Sequence, residues 1–244
     1  MAAKGSDLEL CTRILDEVHS RITQNLHNLA LRGETTLLDV GCWDGFRTLQ
    51  YGAAVQASKC LGVEVFEKHA LAAKANGIEV ACLDLEQERF PWATGSVDWV
   101  VCNQVLEHLK NVWLPLSEIH RVLRPEGCAI LSVPNLASLH NRVLLSLGFQ
   151  PTSIRTFGPH IRGFTLREFV HVVTYGGAFE AIHKEGIGFP PLVRPWNLPL
   201  SRLLPGAAHT TLVVARKTQA PAQWVQWLQL QTREGIQTFF RQAT

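Results

Sequence analysis

Short apolar runs alternate with amphipathic segments through the middle of the chain. The runs are rich in Val, Ile, Leu or Cys and occupy residues 35–40, 60–65, 78–83, 97–102 and 128–133. Apolar positions at helical spacing fill the segments 45–57, 67–76 and 112–123. Such alternation is typical of a parallel sheet with helices on both faces, so the pattern predicts an α/β fold.

The pattern before this region predicts one long helix. Apolar residues recur at helical spacing within 7–31, at Leu10, Ile14, Val18, Ile22, Leu26 and Leu29. Ser6 or Asp7 is the expected N-cap of this amphipathic helix.

Beyond residue 134 the pattern becomes less regular. A helix is predicted over 165–175, with Thr165 and Glu168 spaced as in a capping box. Two further strands are predicted at about 178–185 and 210–216. Five prolines predict irregular structure over the intervening segment 186–208.

We therefore expect three parts in the chain. Residues 1–32 form an N-terminal helical extension, 33–216 the α/β domain, and 217–244 an aromatic-rich tail that is helical in part. Docking of the tail on its own core is the default expectation, and peripheral contact with a membrane stays open.

Composition excludes several classes of protein. Among 244 residues, 46% are hydrophobic and 18% charged, and the formal net charge of +2 gives no reason to expect a nucleic-acid partner. None of the six cysteines forms a CxxC pair, which favours small buried thiols in a reducing compartment over a metal site. With no secretory signal and no apolar run of membrane-spanning length, a cytoplasmic protein is expected. The cysteine spacing also leads us to expect no bound metal.

The chemistry is concentrated where the apolar runs end. Asp39 lies near the end of the first run, and Gly41 and Gly45 then turn the backbone towards the next helix. Glycine lets a ligand approach the main chain closely. A carboxylate at this point would repel phosphate and suits a cofactor that carries positive charge, such as S-adenosylmethionine.

Three later strand ends carry polar groups of the same kind. Glu64, Asp84 and Asn103 follow one another at intervals of about 20 residues. A carboxylate at the position of Glu64 can accept hydrogen bonds from both hydroxyls of a ribose, and Asp84 is placed to accept one from an adenine amino group. Any single acid could be a turn or capping residue, but four such positions in order favour a nucleoside-containing cofactor.

With these motifs the chain resembles the class I S-adenosylmethionine-dependent methyltransferases, and most closely the type 11/12/23 small-molecule group. The resemblance covers roughly residues 33–216. It implies a Rossmann-like, seven-stranded, mostly parallel sheet flanked by helices, with the last strand antiparallel. It also implies S-adenosyl-L-methionine as cofactor and a small-molecule or lipid-like acceptor.

The resemblance also implies a set of cofactor-binding residues. The loop around Gly41 would hold the methionine moiety with support from Asp39, Glu64 would bind the ribose, and Asn103 would lie beside the methionine. The full implied set is Asp39, Gly41, Cys42, Trp43, Gly45, Glu64, Asp84, Leu85 and Asn103, with Asp84 and the Leu85 backbone at the adenine.

Two residues depart from the family pattern. Trp43 replaces the middle glycine of the first motif, where an indole would either narrow the pocket or point away and pack. Glu126 replaces the first glycine in the turn Arg121–Gly127.

Acceptor residues in this group usually follow the fourth and fifth strands. His160 and His108 are the candidate general bases, although His160 could instead order its loop and His108 could cap a helix. Asn135 and Arg162 are the candidate substrate ligands, with pairing to Glu168 or solvent as the alternative for Arg162.

Three functions remain open at this point. The preferred one is an enzyme that transfers a methyl group to oxygen or nitrogen. A nicotinamide-dependent oxidoreductase would need a glycine motif without the acid at Asp39, because its pyrophosphate is anionic. A non-catalytic module that acts through a partner is supported only by Trp43 and the aromatic tail.

Overall fold

The computed structural model describes residues 3–29, 34–190, 197–224 and 226. Seven strands form one sheet: β1 (Thr35–Val40), β2 (Ala57–Glu64), β3 (Glu79–Cys82), β4 (Val97–Asn103), β5 (Leu123–Pro134), β6 (Phe179–Ile187) and β7 (Thr210–Lys217). Seven helices accompany it: α1 (Ala3–Leu29), α2 (Phe46–Ala54), α3 (Glu67–Ala75), α4 (Trp113–Val122), α5 (Leu139–Ser146), α6 (Leu166–Val173) and α7 (Asn197–Leu203).

The strands follow the order β3-β2-β1-β4-β5-β7-β6. β1 to β5 pair in parallel, and β7 runs antiparallel to both of its neighbours, β5 and β6. The expected Rossmann-like sheet with an antiparallel last strand is therefore confirmed.

Alternating side chains of the strands pack into two hydrophobic cores, one on each face of the sheet. Leu38 and Val40 of β1 pack on the face covered by α4 and α6, whereas Leu37 packs on the opposite face. There α1 supplies the buried stripe Ile14, Val18, Ile22 and Leu26, as its periodicity predicts. Asp39 lies two residues after Leu37 in the strand, so its side chain points to the same face of the sheet, towards α1 and α2.

Most predicted elements are found within a few residues of their expected bounds, and two local predictions are wrong. Neither Ser6 nor Asp7 caps α1, because the helix already begins at Ala3. The proline-rich segment 186–208 is not irregular throughout, since α7 lies within it; residues 191–196 lie outside the described part of the chain. The Thr165 cap is confirmed, because its side chain accepts a hydrogen bond from the Glu168 amide.

The start of the aromatic tail docks on the core. Trp224 is fully buried, and its indole Nε1 donates a hydrogen bond of 2.7 Å to the Val172 carbonyl. The other tail residues beyond Trp224, apart from Gln226, lie outside the described residues. Within the described ranges, no helix is both long and apolar enough to cross a membrane.

Candidate functional site

The strand order reverses between β1 and β4, and a cavity of about 380 Å³ opens beside the carboxyl ends of these strands. An open α/β sheet places its ligand at such a reversal. We call it the β1 cavity; it is lined by Leu15, His19, Asp39, Gly41, Cys42, Trp43, Asp44, Phe46, Arg47, Tyr51, Asn103 and Gln104. Five of the predicted cofactor residues thus line one space: Asp39, Gly41, Cys42, Trp43 and Asn103.

Asp39 places a buried carboxyl group in the wall of the β1 cavity. Its side chain is 5% exposed, and Thr48 Oγ1 donates a hydrogen bond of 2.6 Å to its Oδ2 atom. The pKa of Asp39 is raised to about 7, mainly by burial and also by the nearby Glu64 carboxylate, while the hydrogen bond from Thr48 opposes this rise. A positive charge in the cavity would relieve both unfavourable effects on the ionised carboxylate.

The turn after β1 leaves no room for side chains at its glycines. Gly41 and Gly45 both have a φ of +80°, in the left-handed region. A Cβ at Gly41 would lie 2.6 Å from Val105 Cγ2, and one at Gly45 would lie 2.2 Å from Ile78 Cδ1. Both glycines are therefore required by packing as well as by backbone conformation.

Trp43 occupies a glycine-like position in this turn. Its φ of +50° is one that residues other than glycine rarely adopt. The indole stacks on His69, with ring centroids 3.5 Å apart, and meets Phe66 edge-on. Trp43 thus packs towards α3 and also lines the β1 cavity, and its effect on cofactor binding stays a prediction.

Glu64 joins two turns beside the β1 cavity without lining it. Its carboxylate is 5% exposed and accepts hydrogen bonds of 3.0 Å from the Trp43 and Phe66 amides. Each oxygen keeps a second lone pair, so a role at a ribose remains a prediction.

The remaining predicted cofactor residues have local partners. Asp84 accepts hydrogen bonds from the Glu86 amide and the Gln87 side chain, and Leu85 is packed in the core. Asn103 accepts a hydrogen bond from Ser132 Oγ. The structure does not bring Gly45, Glu64, Asp84 or Leu85 into the β1 cavity, and the adenine roles of Asp84 and Leu85 stay predictions.

A larger cavity of about 750 Å³ adjoins the first and shares Leu15 and Gln104 with it. Four histidines contribute to its wall, and we call it the histidine cavity. Its lining is Ile14, Leu15, Gln104, Glu107, His108, Pro134, His140, Asn141, Thr152, Ser153, Arg155, His160, Pro190, His209 and Thr210.

The two candidate bases meet in the histidine cavity. The rings of His108 and His160 have centroids 4.7 Å apart. His108 Nδ1 lies 3.2 Å from the Pro159 carbonyl, and His160 Nδ1 lies 3.0 Å from the Ser153 carbonyl. A carbonyl can only accept, so each neutral ring carries its proton on Nδ1 and has a lone pair on Nε2.

Comparison with known proteins agrees with this geometry. Residues 38–131 match the family model of the methyltransferase domain. Over these residues the chain is similar to methyltransferases. A possible histamine N-methyltransferase from Thermotoga maritima has the same fold, with a TM-score of 0.59 and 16% identity over 87% of this chain and 95% of that one.

Curated relatives match part of the chain. A malonyl-[acyl-carrier protein] O-methyltransferase of Legionella pneumophila is 25% identical over 52% of this chain and 46% of its own length. An uncharacterized methyltransferase of Mycobacteroides abscessus is 35% identical over 48% of this chain and 47% of its own. The chain thus spans about half the length of these relatives.

The two predicted substrate ligands, Asn135 and Arg162, make contacts with backbone groups in the structure. Asn135 is fully buried, and its side chain donates to the Gly206 and Ala208 carbonyls and accepts from the Ala137 amide. The Arg162 guanidinium donates to the Lys110 carbonyl at 2.6 Å, and Glu168 is not its partner there. Neither residue lines the histidine cavity, because each ties separate loops together through backbone groups.

A structural role for Asn135 predicts a large stability effect. Asn135→Ala is expected to lower the free energy of unfolding by about 3 kcal/mol, because buried carbonyls lose their donors. Asn76→Ala is the control; it removes one exposed hydrogen bond to the Asp44 carbonyl and is expected to cost less than about 1 kcal/mol. Chemical denaturation measures both, and equal costs would contradict the structural role.

Sequence reasoning missed the contribution of α1 and α2 to the candidate site. His19 of α1 hydrogen-bonds the Tyr51 hydroxyl of α2, and both line the β1 cavity. The pKa of His19 is lowered to about 4, mainly by burial and also by Arg47, with Asp16 opposing, so the imidazole is neutral at pH 7. The only sequence signal was that Leu15 and His19 lie beside the apolar stripe of α1.

Proposed function

We propose that the protein transfers a methyl group from S-adenosylmethionine, bound in the β1 cavity, to an acceptor in the histidine cavity. This proposal rests on the observation that the two cavities adjoin at Leu15 and Gln104. The first contains the buried Asp39 carboxylate, and the second contains imidazole lone pairs. A donor and an acceptor held side by side need mainly alignment for the reaction.

The charge balance of the β1 cavity fits a cationic cofactor. Asp39 and Glu64 are both buried carboxylates at the turn after β1. Of the basic side chains that line the cavity, His19 is neutral and Arg47 pairs with Asp16 at 2.6 Å. The amino and sulfonium groups of S-adenosylmethionine would supply the missing positive charge, whereas a dinucleotide pyrophosphate would add negative charge.

We assign the binding roles as follows. Asp39, held by Thr48, would attract the amino group, and the backbone around Gly41 would contact the methionine part. Asn103 would lie beside the methionine, and Glu64 would accept from the ribose hydroxyls. The bound cofactor supplies a methyl group on a positively charged sulfur, a strong electrophile.

The histidine cavity suits an oxygen or nitrogen acceptor of small-molecule or lipid-like size. Burial lowers the pKa of His160, the Ser153 carbonyl raises it and His108 lowers it. A neutral His160 can take the proton of a hydroxyl or amine acceptor through Nε2, and His108 is the alternative base. A carboxylate acceptor, as the name of the Legionella relative suggests, would need no base.

Methyl transfer is tested by formation of S-adenosylhomocysteine from S-adenosylmethionine. Malonyl-acyl carrier protein is the first acceptor to try, followed by small phenols and aliphatic acids. His140→Trp should fill the histidine cavity and reduce turnover at least about tenfold while affinity for S-adenosylhomocysteine is unchanged.

Leu139→Trp is the matched control, since Leu139 is the exposed neighbour of His140 and does not line the cavity. Its turnover is expected to equal that of the unmodified protein. Calorimetry provides the second arm: micromolar binding of S-adenosylhomocysteine supports the proposal, and tight binding of NADH without it would overturn the proposal.

A further inference from the structure

An acidic side chain, Glu107, is buried in the wall of the histidine cavity. Glu107 is 1% exposed, lies in a short 3₁₀ turn after β4, and lines the cavity. Neither of its carboxylate oxygens has a hydrogen-bond partner among the described residues. A buried carboxyl group without a partner is costly, so a ligand that satisfies it is to be sought.

Candidate ligand nitrogens of two histidines lie near Glu107. His108 Nε2 lies 3.9 Å from Glu107 Oε1. One ligand atom each from Glu107, His108 and His160 can be chosen so that all three lie within 4.8 Å of one another. The cluster thus combines one carboxylate with two imidazoles and faces a cavity.

The Nδ1 contacts of the two imidazoles are of the kind that metal-binding histidines make. A histidine that binds a metal through one nitrogen commonly donates its other N–H to a carbonyl, which fixes the ring. His108 and His160 make this contact at Nδ1, with the Pro159 and Ser153 carbonyls. Their Nε2 lone pairs are therefore available to a shared ion.

We propose that Glu107, His108 and His160 bind one divalent transition-metal ion, best represented by Zn²⁺, with a further coordination position open to the histidine cavity. Two nitrogens and one oxygen favour Zn²⁺, Co²⁺ or Fe²⁺ over Mg²⁺ or Ca²⁺. Bonds of about 2.1 Å in a tetrahedron would bring the ligand atoms to about 3.4 Å from one another, so the site closes slightly around the ion.

The consequence for the reaction rests on the proposed methyl transfer. The open position would hold an acceptor oxygen and lower its pKa, so that its proton leaves to solvent. The oxygen then forms its bond to the methyl carbon, the carbon–sulfur bond breaks, and its electron pair stays on sulfur as a neutral thioether. In this arrangement the ion replaces the base role proposed above for His160 or His108, because their Nε2 lone pairs bind the ion instead of accepting a proton.

Metal binding is measured on the full chain after removal of metals with a chelator and dialysis. Zn²⁺ titration by calorimetry and elemental analysis should give one ion per chain, and Co²⁺ should give visible d–d absorption typical of low coordination. Glu107→Gln and His160→Ala should each weaken binding by about 100-fold or more. Glutamine is isosteric with glutamate, and thermal melting of the metal-free variants checks that they fold.

His140→Ala is the matched control, because His140 lines the same cavity outside the cluster, and its Zn²⁺ affinity should stay within about threefold. Absence of stoichiometric binding, binding that survives Glu107→Gln, or competition by Mg²⁺ at equal concentration would each overturn the metal site. Binding of S-adenosylhomocysteine to the metal-free protein tests the proposed function separately: its absence would overturn methyl transfer and leave the metal result standing.

Discussion

Asp39→Asn is expected to weaken binding of S-adenosylhomocysteine at pH 8 by about 10- to 100-fold, the value of a charge-assisted hydrogen bond in a buried site. Asparagine has the same size as aspartate and can still accept from Thr48, so the loss reports the charge. Isothermal titration calorimetry measures the effect directly.

The pH dependence of this binding has a definite sign. The pKa of Asp39 in the free protein is about 7, because burial disfavours its charge. A cationic ligand binds the ionised form, so affinity should rise as the pH goes from 6 to 8. The Asp39→Asn variant should lack this rise.

The same pKa has a consequence for the stability of the free protein. Because the folded pKa of Asp39 lies above its ordinary value of 3.8, the folded state holds the proton more tightly. Stability contributed by this group is present below about pH 4 and is lost as the pH rises through 7.

The control for charge alone is Glu67→Gln, which neutralises an exposed carboxylate in the first turn of α3. Solvent screens that position, so binding should change by less than about threefold. If Asp39→Asn and Glu67→Gln weaken binding equally, the proposed contact between Asp39 and the amino group is incorrect.

Gly45→Ala is expected to lower the free energy of unfolding by about 3 kcal/mol, from backbone strain together with overpacking. Its φ of +80° disfavours alanine, and the new Cβ would meet Ile78 Cδ1 at 2.2 Å and the Ala73 Cα at 3.3 Å. The backbone of α3 cannot move as a flexible side chain would. Chemical denaturation gives the value.

Gly77→Ala separates strain from packing. Gly77 has a φ of +85°, and a Cβ there would meet nothing within 4 Å. Its cost should therefore be about 1 kcal/mol, that of left-handed strain alone. Equal costs at the two positions would show that the contact with α3 does not determine the requirement for glycine at Gly45.

Two departures from the family sequence carry backbone strain of the same kind. Trp43 and Glu126 stand at glycine positions of the family pattern, and both adopt a positive φ, +50° and +63°. Both turns thus have a backbone conformation that favours glycine. The stacking of Trp43 on His69 offsets part of this strain.

The resemblance to the family supplied the antiparallel last strand. The sequence pattern by itself determined the order of most elements, the parallel part of the sheet and the residues of the turn after β1. Those signals are local: period-2 and period-3.6 apolar patterns, glycines beside an acid, and a capping threonine. The same locality explains the errors, because five prolines hid the helix α7 and nothing local showed that α1 begins as early as Ala3.

Only the tertiary structure decided which polar residues face the cavities. Asn135 and Arg162 occupy plausible strand-end and loop positions. Their side chains, however, donate hydrogen bonds to backbone carbonyls of distant segments. Glu107 and His19 gave no periodic signal, and both reach a cavity because segments far apart in sequence pack together there. Partners for a polar side chain are set by packing across the fold, which no local pattern encodes.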